Sequence, residues 1–111
     1  LERLVSYAPA FAYLTHFGRV AVTADLVARL RESIDALAAT AHAAAGLGES
    51  RLAHLKAAVG EQLVAEARSH GVTLEEARMR ELLAVDIELN AQGLEVWLVR
   101  QEKQRAGRNT P

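Results

Sequence analysis

The chain has 111 residues, of which 50% are hydrophobic, with a formal net charge of -1 and no cysteine. This length and composition predict one folded domain and exclude a disordered region, and the near-neutral charge argues against a strong general attraction to nucleic acid or acidic membranes. The lack of cysteine excludes disulfides, thiol nucleophiles and cysteine metal sites, and it is compatible with a reducing, cytoplasmic location.

The first two predicted helices cover residues 1–16 and 24–45. In the first, apolar side chains recur every three or four positions and stop before Gly18. The connecting residues 19–22 have some extended character. Thr23 is then a suitable N-cap for the second helix, which carries a continuous apolar face and ends at a glycine.

The third and fourth predicted helices cover residues 50–70 and 74–104. Ser50 is a candidate N-cap for the third helix. Thr73, followed three residues later by Glu76, fits the capping box that satisfies two amide donors at a helix start. No run of apolar residues is long enough to span a membrane.

Together these segments predict an all-α, single-domain four-helix bundle over residues 1–104. Residues 105–111 contain two arginines, a glycine and a terminal proline, and we expect them to form a flexible basic tail.

The fourth helix is more apolar than a surface helix needs to be. Two apolar rows run along it, and glutamates spaced by seven hold the remaining arc, which we expect to face solvent. The first row consists of Leu82, Val85, Leu89 and Val96, the second of Leu83, Ile87, Leu94 and Leu98, and the glutamates are Glu81, Glu88, Glu95 and Glu102. Such a helix must contact neighbours on two sides, either within its own bundle or against another subunit.

Between the two apolar rows lies a line of candidate interaction or pocket residues. The line consists of Met79, Asp86, Asn90, Gly93 and Trp97. In one interpretation Asp86 and Asn90 form a buried network that fixes helix register, within the chain or at a dimer interface. In the other, the two polar residues anchor a small ligand or peptide against the ring of Trp97.

Enzymatic and metal chemistry are not expected. Asp86 has no second acid, base or nucleophile at a spacing that would place it nearby, so no catalytic residue is predicted. No two of the four histidines share a helix face three or four residues apart, so no metal site and no other cofactor is predicted.

Residues 63–80 resemble a helix-turn-helix unit through Ala67, Gly71, Val72 and Thr73 ahead of a new helix. This resemblance implies a transcriptional or ligand-responsive regulator, with the basic residues of the tail as contacts to the nucleic-acid backbone. Against it, the candidate recognition helix opens with two glutamates, which carry the wrong charge for phosphate.

A further resemblance is carried by residues 65–72, by the Ala-Arg-Met sequence at 77–79 and by Asp86. These residues resemble the helical hairpin in cytoplasmic domains of the DotU family, membrane-anchor subunits of type VI secretion. In that family the hairpin leads into an Ala-Arg-Tyr motif with an acidic pair seven residues after the tyrosine. Here Met79 stands in place of the tyrosine and Ile87 in place of the second acid. The resemblance implies a cytoplasmic component of a secretion system.

The sequence as a whole favours a non-enzymatic interaction or adaptor module of bacterial type. We expect it to form a homodimer or to bind a protein partner, with self-association through the C-terminal helix.

Overall fold

The computed structural model describes residues 1–108 of the chain. Within them, helices account for 73% of the residues, in five α-helices and a short 3₁₀ turn, and one two-stranded sheet is present. The predicted helical class is therefore confirmed in its main feature. The chain divides into two compact units, residues 1–36 and residues 37 onward.

The first unit replaces the predicted helix over residues 1–16 with a short helix and a β-hairpin. Helix α1 covers only Glu2–Val5, and strands β1 (Phe11–Leu14) and β2 (Gly18–Ala21) pair antiparallel. The helical prediction is wrong because Pro9 lacks an amide donor and disfavours helical backbone in the residue before it. Ala8, the residue before Pro9, has a positive φ of 48°, which lies outside the right-handed helical region.

The hairpin turn depends on two residues with left-handed backbone. His16 has a φ of 67° and Gly18 a φ of 126°, a region in which glycine carries no steric cost. On one face of the hairpin the Arg19 guanidinium lies 4.5 Å from the centre of the Phe11 ring. The extended character predicted for residues 19–22 is thus confirmed through Ala21.

Helix α2 covers Ala24–Ala44, one residue shorter than predicted. Its predicted cap is confirmed, since the backbone N–H of Leu26 donates to Thr23 Oγ1 at 3.1 Å. In the first unit, Arg31 of this helix donates two hydrogen bonds of 2.7 Å to the carboxylate of Glu2. The boundary between the two units falls inside α2.

In the second unit, a 3₁₀ turn at Gly48–Ser50 leads into helix α3, Arg51–Ser69. The helix bounds agree with the prediction to within one residue, and Ser50 is the N-cap residue, but its side chain makes no capping hydrogen bond. The Ser50 hydroxyl donates to the backbone carbonyl of Leu47 at 2.9 Å, because the preceding turn brings that carbonyl within reach.

The predicted fourth helix is two helices, α4 (Glu76–Leu82) and α5 (Ala84–Arg108). They join at Leu83, where φ is -90° and ψ is 3°, and no glycine or proline marks this point in the sequence. The predicted capping box is also wrong, because the N-cap residue of α4 is Glu75, with a ψ of 142°, and the helix begins only at Glu76.

Helix α5 includes residues 105–108, where the basic tail was predicted to begin. Residues 109–111 of that predicted tail lie outside the described residues.

Helices α3 and α5 run antiparallel and form the core of the second unit. The start of α3 contacts the second half of α5, and the middle of α3 contacts its first half. Leu55, Ala44 and Ala91 are fully buried together, and Leu52 and Leu94 pack against them. The two alanines allow the helices to approach closely around the larger leucine side chains.

Candidate interaction surface on α5

Helix α5 has an inner side that packs on α3 and closes the core. Ala91 is fully buried, Leu98 is 3% exposed, and Leu94 and Ile87 are half-buried on the same side. These positions are spaced by three or four residues and form one helical face. They include three of the four residues of the second predicted apolar row, all but Leu83 at the junction, so one of the two predicted contacts of this helix is made within the chain.

The predicted glutamate row faces solvent only in part. Glu81 on α4 and Glu102 on α5 are exposed, as the spacing predicted. Three of the four glutamates also run along the edge of the contact with α3, where Glu88 pairs with Lys56 Nζ at 2.7 Å and Arg51 pairs with both Glu95 and Glu102. Glu88 and Glu95 are partly buried there because cations on the flank of α3 attract them.

Arg51 holds the most extensive polar contacts in the second unit. Its Nε and Nη2 donate to the two carboxylate oxygens of Glu95 at 2.8 and 2.7 Å, and its Nη1 donates to Glu102 at 2.6 Å. A fourth hydrogen bond is donated by Nη1 to the backbone carbonyl of Ala45 at 3.3 Å. The planar guanidinium suits this forked geometry, and it fixes α5 against the start of α3.

These contacts shift the pKa values of both partners. Hydrogen bonds from Arg51 lower the pKa of Glu95 below its ordinary value of 4.5, against the opposing effect of desolvation. The hydrogen bonds to Glu95, and then those to Glu102, raise the pKa of Arg51. The pKa of Glu88 is likewise lowered, first by its hydrogen bond with Lys56.

Sequence reasoning did not single out Arg51, although a signal was present. Arg51 stands one helical turn before Leu55 and two turns before Val59, so it continues the buried line of α3. A charged residue at a buried spacing requires a partner, and glutamates at intervals of seven on another helix could supply one.

The first predicted apolar row lies at the end of α4 and on the outer side of α5, and within residues 1–108 it is exposed to solvent. Val85 is 68% exposed, Leu89 62% and Val96 49%, and Leu82 at the end of α4 is 55% exposed. Single exposed apolar side chains are common on protein surfaces. Several of them close together are typical of a surface that binds another protein.

The structure separates the predicted line of candidate residues. Met79 is buried at 2% exposure on α4, whereas Asp86, Asn90 and Gly93 are exposed on α5. Trp97 is half-buried, and its ring meets that of His42 edge-on at a centroid distance of 5.2 Å. Asp86, Asn90 and Gly93 therefore lie together beside the exposed apolar row, and Met79 belongs to the interior.

Asp86 and Asn90 form one local contact and no buried network within the chain. The Asn90 side-chain amide donates to the backbone carbonyl of Asp86 at 2.8 Å. Among residues 1–108 the Asp86 carboxylate has no hydrogen bond or ion pair. An exposed carboxylate needs no internal partner, because water solvates it. It remains available to a group outside the chain.

The segment that resembles a helix-turn-helix unit offers little unpaired positive charge. Arg78 pairs with Glu81 at 2.6 Å and Arg80 with Glu76 at 2.9 Å, both within the seven-residue helix α4. Ion pairs within a helix reduce the charge that its arginines present to phosphate. The basic residues near the end of α5 are exposed, and nucleic acid stays a weaker alternative there.

The first unit contains an open cavity of about 410 Å³. Its lining is mostly apolar, from Val5, Val22 and Val27, and its one cation is Arg31. That guanidinium is already held by Glu2, so it offers no unpaired charge to an anionic ligand.

Two further properties concern the described part of the chain. No group of three or more histidine, aspartate or glutamate side chains there is placed to hold a metal ion. None of the helices within residues 1–108 combines the length and the apolar character that crossing a membrane requires. Comparisons with protein-family models, curated proteins and solved structures found no match to this chain.

Proposed function

We propose that the chain is a non-enzymatic protein-interaction module that self-associates through the outer side of α5. The observation that carries the proposal is the exposed row formed by Leu82, Val85, Leu89 and Val96. A binding role accounts for apolar side chains that the fold itself does not use, since removing them from water is favourable.

The energetics favour a row over isolated side chains. Full burial of one valine or leucine side chain contributes about 1.5–3 kcal/mol, and these side chains are already partly covered. Association costs at least about 4 kcal/mol in lost translational and rotational freedom. Several side chains must therefore be buried together, and Val85, Leu89 and Val96 on one side of α5 allow this.

Self-association would also supply the second contact that the two apolar rows of the last helix predict. Each chain supplies one antiparallel pair, α3 and α5, whose inner sides are packed together. Two such pairs meeting through α5 would place four helices side by side, with the exposed row of each copy inside the assembly. In this proposal a second chain makes the second contact of α5.

The same side of α5 gives little support to catalysis. It presents one carboxylate, Asp86, and one amide, Asn90, which contacts the backbone of its own helix. General acid and base chemistry usually needs a second group within hydrogen-bonding distance. We therefore propose binding as the activity of this surface.

The test is the oligomeric state of the purified chain and of the variant Leu89→Lys/Val96→Lys. Analytical ultracentrifugation of the wild type should show a concentration-dependent dimer, and the variant should stay monomeric over the same range. A folded wild-type chain that remains monomeric at high micromolar concentration contradicts the proposal.

Leu30→Lys is the matched control, because Leu30 is 46% exposed on α2 and lies outside the proposed surface. It should dimerise like the wild type. Equal loss of dimer in Leu30→Lys would assign the effect to surface charge in general or to the exposed apolar side chains of α2, and in either case it would remove the support for α5.

A further inference from the structure

The outer side of α5 carries a line of five exposed positions that is close to symmetric about its centre. The line consists of Asp86, Leu89, Gly93, Val96 and Arg100, spaced by three, four, three and four residues. This alternation is the spacing at which one helix packs along another. The line lies on the opposite side of α5 from Ala91, Leu94 and Leu98, so the contact with α3 leaves it free.

The charges in this line are opposite at its two ends. Asp86 lies seven residues before Gly93, and Arg100 lies seven residues after it. In an antiparallel pair of such helices crossing at Gly93, each Asp86 faces the Arg100 of the other copy. In a parallel pair, Asp86 would face Asp86 and Arg100 would face Arg100, which is unfavourable.

These two charges also differ from their neighbours on the same helix. Glu88 and Glu95 are neutralised by Lys56 and Arg51 of α3. Among the described residues, neither Asp86 nor Arg100 forms an ion pair. Both charges of the line therefore lack a partner within residues 1–108, as do the basic residues closer to the end of α5, and an antiparallel second copy would pair the two in the line.

The centre of the line permits a close approach. Gly93 is exposed, and a Cβ atom added there would meet no atom of the chain within 4 Å, so the glycine is not required by internal packing. A residue without a side chain lets a neighbouring backbone come nearer than any other residue does. On either side of it, Leu89 and Val96 supply apolar contact.

We propose that the partner of this surface is a second copy of the chain, with its α5 antiparallel and crossing at Gly93. Asp86 of each copy pairs with Arg100 of the other, and Leu89 of each packs beside Val96 of the other. The two-fold symmetry repeats every contact, as in most homodimers. This inference rests on the proposed function and specifies its partner and orientation.

Charge exchange tests the pairing. The variants Asp86→Arg and Arg100→Asp each create two like-charge contacts in the antiparallel dimer, and each should raise the dimer Kd by about tenfold. The double variant Asp86→Arg/Arg100→Asp has the composition and net charge of the wild type and restores opposite charges. Its Kd should return towards the wild-type value, while thermal unfolding of dilute samples controls for the fold.

Spin labels test the orientation, and the chain has no cysteine that would interfere with labelling. Ala84→Cys and Gln104→Cys place labels at exposed positions outside the line. In the antiparallel dimer the two labels at residue 84 lie 18 residues apart along the paired helices, roughly 27 Å at the helical rise. In a parallel dimer they would lie about one helix spacing apart, on the order of 10 Å.

The outcomes separate this inference from the proposed function. Restoration by the double variant together with the long distance between labels at residue 84 supports the antiparallel dimer. A dimer with the short distance, or one that the single charge variants leave unchanged, overturns this inference and leaves self-association in place. A chain that forms no dimer overturns both.

Discussion

The two sides of α5 have similar apolar composition and opposite surroundings. On the inner side Ala91 and Leu98 are buried against the core, and on the outer side Val85 and Leu89 are more than 60% exposed. The difference shows that apolar pattern alone does not decide which side of a helix a chain buries. Ion pairs at the edge of the contact, from Arg51 and Lys56 to the glutamate row, favour one rotation of α5 over another.

The largest expected effect comes from replacing the same residue type on the two sides. Leu98→Ala removes a side chain that is 3% exposed, and it should lower the free energy of unfolding by about 2–5 kcal/mol. Leu89→Ala, at 62% exposure, should change it by less than about 0.5 kcal/mol in samples dilute enough to be monomeric. Urea unfolding measures both.

Leu89→Ala should nevertheless weaken self-association at higher concentration. Leu98→Ala should affect self-association only by destabilising the folded chain. A large loss of monomer stability in Leu89→Ala would show that the outer side is covered within the chain, contrary to the structure.

A smaller effect is expected at the edge of the inner side. Arg51→Met removes the guanidinium that binds Glu95 and Glu102, and it should lower the free energy of unfolding by about 1–3 kcal/mol. The expected loss of unfolding free energy is moderate because Glu102 is half exposed and remains solvated. Arg100→Met is the control on the outer side, and in monomeric samples it should have almost no effect. Equal effects of the two variants would remove the assigned role of Arg51.

The smallest effect is a dependence of stability on acidic pH. Because the pKa of Glu95 is lower in the folded chain than its ordinary value of 4.5, its contribution is complete above that value. It is lost as the pH falls through the lower, folded value, since the unfolded state then binds the proton more readily. Thermal unfolding between pH 6 and about 3 should show a decline that is shallower in Glu95→Gln.

Glu88 and Glu2 also have lowered pKa values, through Lys56 and Arg31, so some decline should persist in Glu95→Gln. Identical pH profiles for the variant and the wild type would exclude a contribution from the pair between Arg51 and Glu95.

The sequence determined the bounds of α2 and α3 to within one residue, through their flanking glycines and apolar spacing. The last predicted helix was located correctly only in part, because α5 begins ten residues after its predicted start. The apolar spacing predicted the wrong structure at two places. Around Pro9 it predicted a helix where the structure has a hairpin, and through Leu83 it predicted one helix where the structure has two.

The candidate site was predictable in its location and only partly in its members. The excess of apolar surface on the last helix is visible in the sequence, and it led to the expectation of two contacts. The predicted line through Asp86, Asn90 and Trp97 was placed at the centre of the buried arc. The buried side is in fact displaced by roughly one residue's step of 100° around the helix axis.

The tertiary structure alone decided that rotation. The sequence of one helix does not decide which of its apolar sides is buried, because burial of either half of a broad apolar arc contributes a similar free energy. The choice came from α3, where Arg51 and Lys56 lie within reach of the glutamates of α5. Thus the sequence determined that α5 has two apolar sides, and its packing on α3 decided which of them is left exposed to meet another molecule.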